Sequence, residues 1–213
     1  VAVAATPDFL VAIWARSLQY ISASGPVAVW PLSRANISDA VALTCAYESN
    51  RCWIGYADGI IEEVTIPGLA SIQYFAPSND TGQKINKMAI GETYSLVSYS
   101  DTTSTAQLWY NSSAVSSTAS TSVLAMAGGR LHALIIRADD HFAYSIGDNE
   151  FGQLGRTEGE NSFVRVNLPD VRISAIACLA YTSYALTADH QLYAWGANNA
   201  YALLGRLDMA LST

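Results

Sequence analysis

The loop Gly147-Asp-Asn-Glu-Phe-Gly-Gln-Leu-Gly-Arg156 returns farther along the chain as Gly196-Ala-Asn-Asn-Ala-Tyr-Ala-Leu-Leu-Gly-Arg206. The offset is 49 residues at the first glycine and 50 at the last. The segments in front of the two loops superpose as well. His132-Ala-Leu-Ile-Ile-Arg-Ala-Asp-Asp-His-Phe-Ala-Tyr-Ser-Ile-Gly147 lies over Thr182-Ser-Tyr-Ala-Leu-Thr-Ala-Asp-His-Gln-Leu-Tyr-Ala-Trp-Gly196, with one residue fewer at the turn. A period near fifty residues excludes the short helical repeats. Apolar runs rich in Val, Ile, Tyr and Trp, too short for helices and bounded by Gly, Asp, Asn or Ser, make each repeat a set of strands, as in the blades of a β-propeller.

Working outward, Gly91-Glu-Thr-Tyr-Ser-Leu-Val97 matches Gly129-Arg-Leu-His-Ala-Leu-Ile135 at an offset of 38, and Asp101 falls on Asp139 at the same offset. Farther back, Val41 to Ala46 leads through Arg51 to Ala57, a turn at Asp58-Gly59, and a strand from Ile60 to Ile66. That is a hairpin signal of the Asp-Gly kind. Residues 9 to 20 read as a more degenerate copy. The chain is therefore expected to be all-β, with turns at Ala138 to Asp140 and Ala188 to His190. It reads as one propeller domain or a fragment of one over residues 1–213, with its best repeats at 124–206 and weaker units at 1–36, 37–84 and 85–123. The Ser and Thr tract from Ser112 to Ser122 reads as a loop between units, and Thr157 to Ser162, carrying Glu158 and Glu160, as a second.

The string Gly147-x-Asn149-x-x-Gly152-Gln153-Leu154-Gly155, with Gly129-x-x-His132 ahead of it, resembles the repeat of the regulator of chromosome condensation family. The resemblance is specific from 124 to 206 and extends upstream only as a pattern of strands. It implies a closed seven-bladed ring of four-stranded antiparallel blades; about five units do not close such a ring, so the chain is expected to be an incomplete part of one or to have diverged to another blade number. It also implies that Gly129, His132, Gly147, Asn149, Gly152, Leu154, Gly155, Gly196 and Gly205 are structural repeat positions. The glycines permit positive φ in the inter-blade loop, the Asn bonds to backbone there, and the Leu anchors the loop in apolar packing. His132 is expected to be a structural histidine, hydrogen-bonded within its own blade. The pattern departs from the family at Leu179 and Thr182, which replace its Gly and His, and at Ala202, which replaces a loop glycine. Asp140-His141 and Asp189-His190 stand where Asp-Gly is usual.

Composition limits the function. Hydrophobic residues make up 51% of the 213 and charged residues 14%, which suits segments sandwiched between other segments. A formal charge of -7 argues against an electrostatic footprint for nucleic acid or anionic lipid and favours a partner with a basic surface. The apolar start, interrupted by Pro7 and Asp8, is too short for a membrane span and lacks the basic start of a signal peptide. Three cysteines, Cys45, Cys52 and Cys178, in no Cys-x-x-Cys spacing suggest neither a disulfide framework nor a zinc site, so an intracellular, reducing compartment is expected. The sequons at Asn36, Asn79 and Asn111 are the number that chance supplies in a chain rich in Ser and Thr.

No motif commits the chain to catalysis. Asp139-Asp140-His141 imitates a metal cluster, but adjacent residues of a hairpin turn point in different directions. The glycine loops lack the Lys and Ser/Thr of a nucleotide cradle, and no Gly-x-Ser-x-Gly elbow occurs. The five tryptophans lie mostly in strand runs, where packing between blades accounts for them. The expected function is a protein-interaction scaffold without cofactor or metal, and the resemblance implies a module of a larger protein or assembly, cytoskeletal and ciliary components being among those the family includes. The alternative that the resemblance implies is guanine-nucleotide exchange on a small GTPase. The partner contacts are expected in the loops, at Glu158 and Glu160.

Overall fold

The computed structural model describes residues 2–5, 8–14, 17–22, 25, 28–31, 40–46, 50–56, 60–66, 73–75, 85–91, 94–99, 106–110, 113–119, 122–157 and 162–197. The Asp58-Gly59 turn and Gly205 lie outside them. Among the described residues there are nineteen strands and no helix, so none long and apolar enough to cross a membrane.

Consecutive strands form five sheets. The first holds β1 (Ala2–Ala5), β2 (Phe9–Trp14), β3 (Ser17–Ser22) and β4 (Ala28–Pro31). The second holds β5 (Ala40–Cys45), β6 (Arg51–Tyr56), β7 (Ile61–Thr65) and β8 (Gln73–Phe75). The third is built from β9 (Ile85–Ile90), β10 (Tyr94–Tyr99), β11 (Ala106–Tyr110) and β12 (Ser113–Ala119). The fourth has β13 (Val123–Gly128), β14 (His132–Arg137), β15 (Ala143–Gly147) and β16 (Val164–Arg165). The fifth has three described strands, β17 (Ile173–Leu179), β18 (Thr182–Thr187) and β19 (Leu192–Gly196). The chain divides into two compact units, Val1–Met88 with Val97–Thr102, and Ala89–Leu96 with Thr103–Thr213.

In the second unit, β14 shows why the apolar runs are continuous and do not alternate with polar residues. Its residues 132 to 136 are all buried, because both faces of the sheet are covered. Successive side chains point to opposite faces. Ala133 and Ile135, with Ile146 of β15, pack among Ala89, Leu96 and Val123. Leu134 and Ile136 pack on the other face with Ala143, Val166, Ile173 and Ala185. The same alternation puts His132 on the face that looks toward the fifth sheet. In the first unit, Val11, Ile13 and Leu18 of the first sheet share a core with Cys52, Ile54, Tyr56 and Val64 of the second.

Turns occupy Ala138 to Asp140 and Ala188 to His190, where the repeat places them. Each is followed or closed by a histidine at positive φ, 62° at His141 and 68° at His190, the conformation that an Asp-Gly pair would supply through its glycine.

Two expectations are corrected. The Ser and Thr tract is largely a strand, since β12 pairs antiparallel with β11 from Ala106↔Ala119 to Tyr110↔Ser113, with a register shift between Gln107 and Leu108. It forms the edge of its sheet. An edge strand has one neighbour and needs no apolar face on the outside, so a polar composition hides it. The cysteine pattern likewise conceals a bridge, Cys45–Cys52. The two residues are direct partners across the β5–β6 pair, with Cα atoms 4.0 Å apart, close to the spacing of a non-hydrogen-bonded antiparallel pair.

Candidate functional site

The repeat positions converge on the loop from Gly147 to Arg156. Gly147, Gly152, Gly155 and Gly196 have φ of 111°, 74°, 63° and 100°. At Gly147 the need is also steric, because a Cβ would fall 2.3 Å from the Leu131 carbonyl oxygen. Asn149 holds the loop from within: its Oδ1 accepts from the Leu154 amide at 2.8 Å and its Nδ2 donates to the Arg156 carbonyl at 2.8 Å. Gln153 Nε2 donates to Asp148 Oδ2 at 2.7 Å, and its Oε1 accepts from the Phe151 amide at 2.8 Å. Leu154 is fully buried, and its carbonyl accepts from Ser145 Oγ at 2.8 Å. Arg156 returns to β15 through Nε to Ser145 Oγ (2.9 Å) and Nη2 to the Ser145 carbonyl (2.8 Å). Its Nη2 also reaches the Ser162 carbonyl at 3.1 Å.

From this loop the bonding crosses to the fifth sheet. The Gln153 carbonyl accepts from Ser183 Oγ at 2.8 Å and from Trp195 Nε1 at 2.9 Å. Ser183 has one hydroxyl proton, given to Gln153, so its contact with His132 at 2.8 Å makes His132 Nε2 the donor. The expectation that His132 bonds within its own blade is thus corrected: its partner is in the next sheet, as its place on the outward face of β14 requires. Gly129 lies against the His132 ring, since a Cβ there would be 2.1 Å from Cε1. On the same side Arg130 stacks on the Tyr181 ring at 5.3 Å, and Phe151 packs against Tyr181 at 4.9 Å.

A histidine beside a serine imitates a nucleophile and its base, but the chemistry is shut off. Both are buried, and the serine proton is committed to a carbonyl. Burial pushes the His132 imidazole down to about 4, against a smaller opposing pull from Asp148. It is therefore neutral near pH 7, a fixed donor. Cys178, close to Ser183, is no nucleophile either, because burial pushes its thiol up to about 12, outweighing bonds to Ser183 and the Leu134 backbone.

The turn residues are equally occupied. Asp140 accepts from the Phe142 amide at 2.8 Å through Oδ1 and from Tyr144 Oη at 2.6 Å through Oδ2, while Asp139 pairs with Arg137. Among the described residues no group of three or more His, Cys, Asp or Glu is gathered to hold a metal ion. An open groove of about 370 Å³ runs past Arg156, Thr157, Val164, Arg165, Asn167 and Asp170. Its Arg165 is stacked on Phe142 at 3.6 Å and paired with Asp170.

Of the residues singled out in the sequence, the structure brings Gly129, His132, Gly147, Asn149, Gly152, Leu154, Gly155 and Gly196 to the junction of the fourth and fifth sheets. Glu158 and Glu160 lie outside the described residues, between the exposed Thr157 and Ser162. Ser145, Arg156, Ser183 and Trp195 were not foreseen in this role. A signal existed for one of them: the arginine that ends the first loop ends the second as Arg206.

No family model matches the chain. The human regulator of chromosome condensation is 36% identical over 78 residues, covering 36% of this chain and 18% of that protein, and the mouse protein 35% over the same length. Among solved structures, human WBSCR16 superposes with a TM-score of 0.71 at 12% identity, covering 92% of this chain and 62% of the other. Prp20p of Saccharomyces cerevisiae, which has binding properties towards Gsp1p and histones, superposes with a TM-score of 0.67 at 16% identity, covering 91% and 56%. The chain thus spans about three-fifths of the solved structures' length and a smaller part of the human relative's. The all-β sheets and these likenesses agree: the chain has the β-propeller fold, and over 78 residues its repeat is similar to that of the regulator of chromosome condensation.

Proposed function

We propose that the chain is a protein-interaction module, a part of a larger propeller ring and acting inside the cell. The observation that carries this reading is the junction of the fourth and fifth sheets. His132, Asn149, Gln153, Ser183 and Trp195, the side chains that resemble machinery, are each bonded to the scaffold. What remains variable is the loops, and loops on a rigid frame are where partners bind. The net charge of -7 favours a partner with a basic surface, and Glu158 and Glu160 are the contacts we assign to it. The resemblance of the repeat to that of the regulator of chromosome condensation supports a second reading, exchange of guanine nucleotide on a small GTPase.

The test is affinity capture from the native cell, followed by binding of each purified partner to the parent and to Glu158→Lys/Glu160→Lys at two salt concentrations. Slower and less salt-sensitive association of the doubly substituted chain, with unchanged melting, supports the contact assignment. An association rate indifferent to the reversal moves the interface elsewhere. Release of bound guanine nucleotide from a captured GTPase, accelerated by the chain, would establish the second reading over the first.

A further inference from the structure

The Cys45–Cys52 bridge joins β5 to β6 beside the end of their hairpin. Cys52 is fully buried in the core of the first unit, whereas Cys45 is half-buried at its margin. The bridge is not needed to hold the sheet, because β6 is paired on both sides, to β5 from Ala40↔Tyr56 and to β7 from Arg51↔Thr65 to Gly55↔Ile61. Beside the bridge, Arg51 lies 3.6 Å from Glu63 and stacks over the Trp53 ring at 5.1 Å, and backbone bonds hold the described neighbours. The Ala46 amide donates to the Arg51 carbonyl at 2.9 Å, and the Ile66 amide to the Asn50 carbonyl at 2.7 Å. Asn50 Nδ2 donates to Asp8 Oδ2 at 2.9 Å, an exposed bond to the first sheet's β1–β2 connection.

We propose that Cys45–Cys52 is a reversible redox clasp, opened by a dithiol reductant and closed by a disulfide oxidant while the sheet stays folded, which sets how firmly the backbone bonds at Ala46 and Ile66 are held. A reductant thiolate attacks the sulfur of Cys45, the less buried of the two residues. The S–S bond breaks, and Cys52 leaves as a thiolate that takes up a proton. The second thiol of the reductant then displaces Cys45, which is protonated in turn. The reductant ends as a disulfide, two electrons and two protons having passed to the protein. Closure is the reverse with a disulfide oxidant, and it is favoured because the two cysteines stay opposite each other on paired strands. Cys178, with its thiol held protonated by burial, does not intercept the exchange.

The experiment uses the full chain and dithiothreitol as the probe, without denaturant. Maleimide labelling and mass analysis are expected to find Cys45 and Cys52 labelled after reduction and neither before. Far-ultraviolet circular dichroism should stay unchanged. Amide exchange at Ala46 and Ile66 should rise about tenfold, as expected for a locally loosened segment. Glutathione disulfide should restore the slow exchange, and the variant Cys45→Ser/Cys52→Ser should exchange like the reduced chain. Three results would overturn the proposal: a bridge that yields only in denaturant, reduction that leaves exchange at Ala46 and Ile66 unchanged, or cysteines that oxidant does not join.

Discussion

His132 Nε2 stands 2.8 Å from Ser183 Oγ, and through that bond β14 of the fourth sheet is tied to β18 of the fifth. Ser183→Ala leaves a buried ring N–H and a buried carbonyl short of a partner, so it is expected to cost about 1 to 3 kcal/mol. Ser174→Ala is the control. Its exposed hydroxyl donates to the Leu186 carbonyl at 3.0 Å, and water can replace that bond, so the loss should be under about 0.5 kcal/mol. Urea unfolding of the two variants measures the difference.

The same histidine makes the fold sensitive to acid. Its folded value of about 4 lies below the 6.5 of an exposed imidazole, so between these pH values the unfolded chain binds the extra proton. Stability is therefore fully present above pH 6.5 and falls as pH drops from 6.5 through 4. The loss reaches on the order of 3 kcal/mol. In His132→Gln this part of the pH dependence should disappear, whatever the variant's stability at pH 7, and denaturation series from pH 7 to pH 4 would show it.

Two glycines of the loop separate steric from conformational demands. Gly152 has φ 74° with open space around it, so Gly152→Ala should cost about 1 kcal/mol, the usual expense of a left-handed alanine. Gly147 has φ 111° and a carbonyl oxygen where the Cβ would be, so Gly147→Ala should cost about 3 kcal/mol or more. Equal melting temperatures for the two variants would mean that the loop does not have this conformation.

His141 and His190 hold left-handed positions without a glycine's freedom. Replacing each by glycine relieves that strain and loosens the unfolded chain, and the balance is expected to favour the folded state by about 0.5 kcal/mol per site. A lower melting temperature in either variant would show that the imidazole contributes more than its backbone costs.

The fourth and fifth sheets were legible because a repeat compares the chain with itself. His132 to Gly147 and Thr182 to Gly196 share their turns and loop glycines, and a hydrophobic pattern seen twice fixes strands that one copy leaves ambiguous. β12 was not legible, because Ser113 to Ala119 is polar in sequence and its strand shows only in the pairing with β11. The bridge needed a pairing to be seen. Cys45 and Cys52 look unrelated along the chain, yet folding Val41–Ala46 back on Arg51–Ala57 sets them opposite one another. The direction of His132 followed from period-two alternation along β14, but knowing what it faced required the next sheet.

A carbonyl oxygen has room for two donors, and that of Gln153 receives both, from Ser183 and Trp195, out of the following repeat. A blade copied or transplanted alone would carry this acceptor away and leave its two donors behind. A stretch that keeps this acceptor with both donors must cross from one sheet to the next, as Gly147 to Gly196 does, and even that cut parts His132 from Ser183 and Arg156 from Ser145. No boundary along these two repeats leaves every polar group with its partner, so the two sheets have to be inherited together.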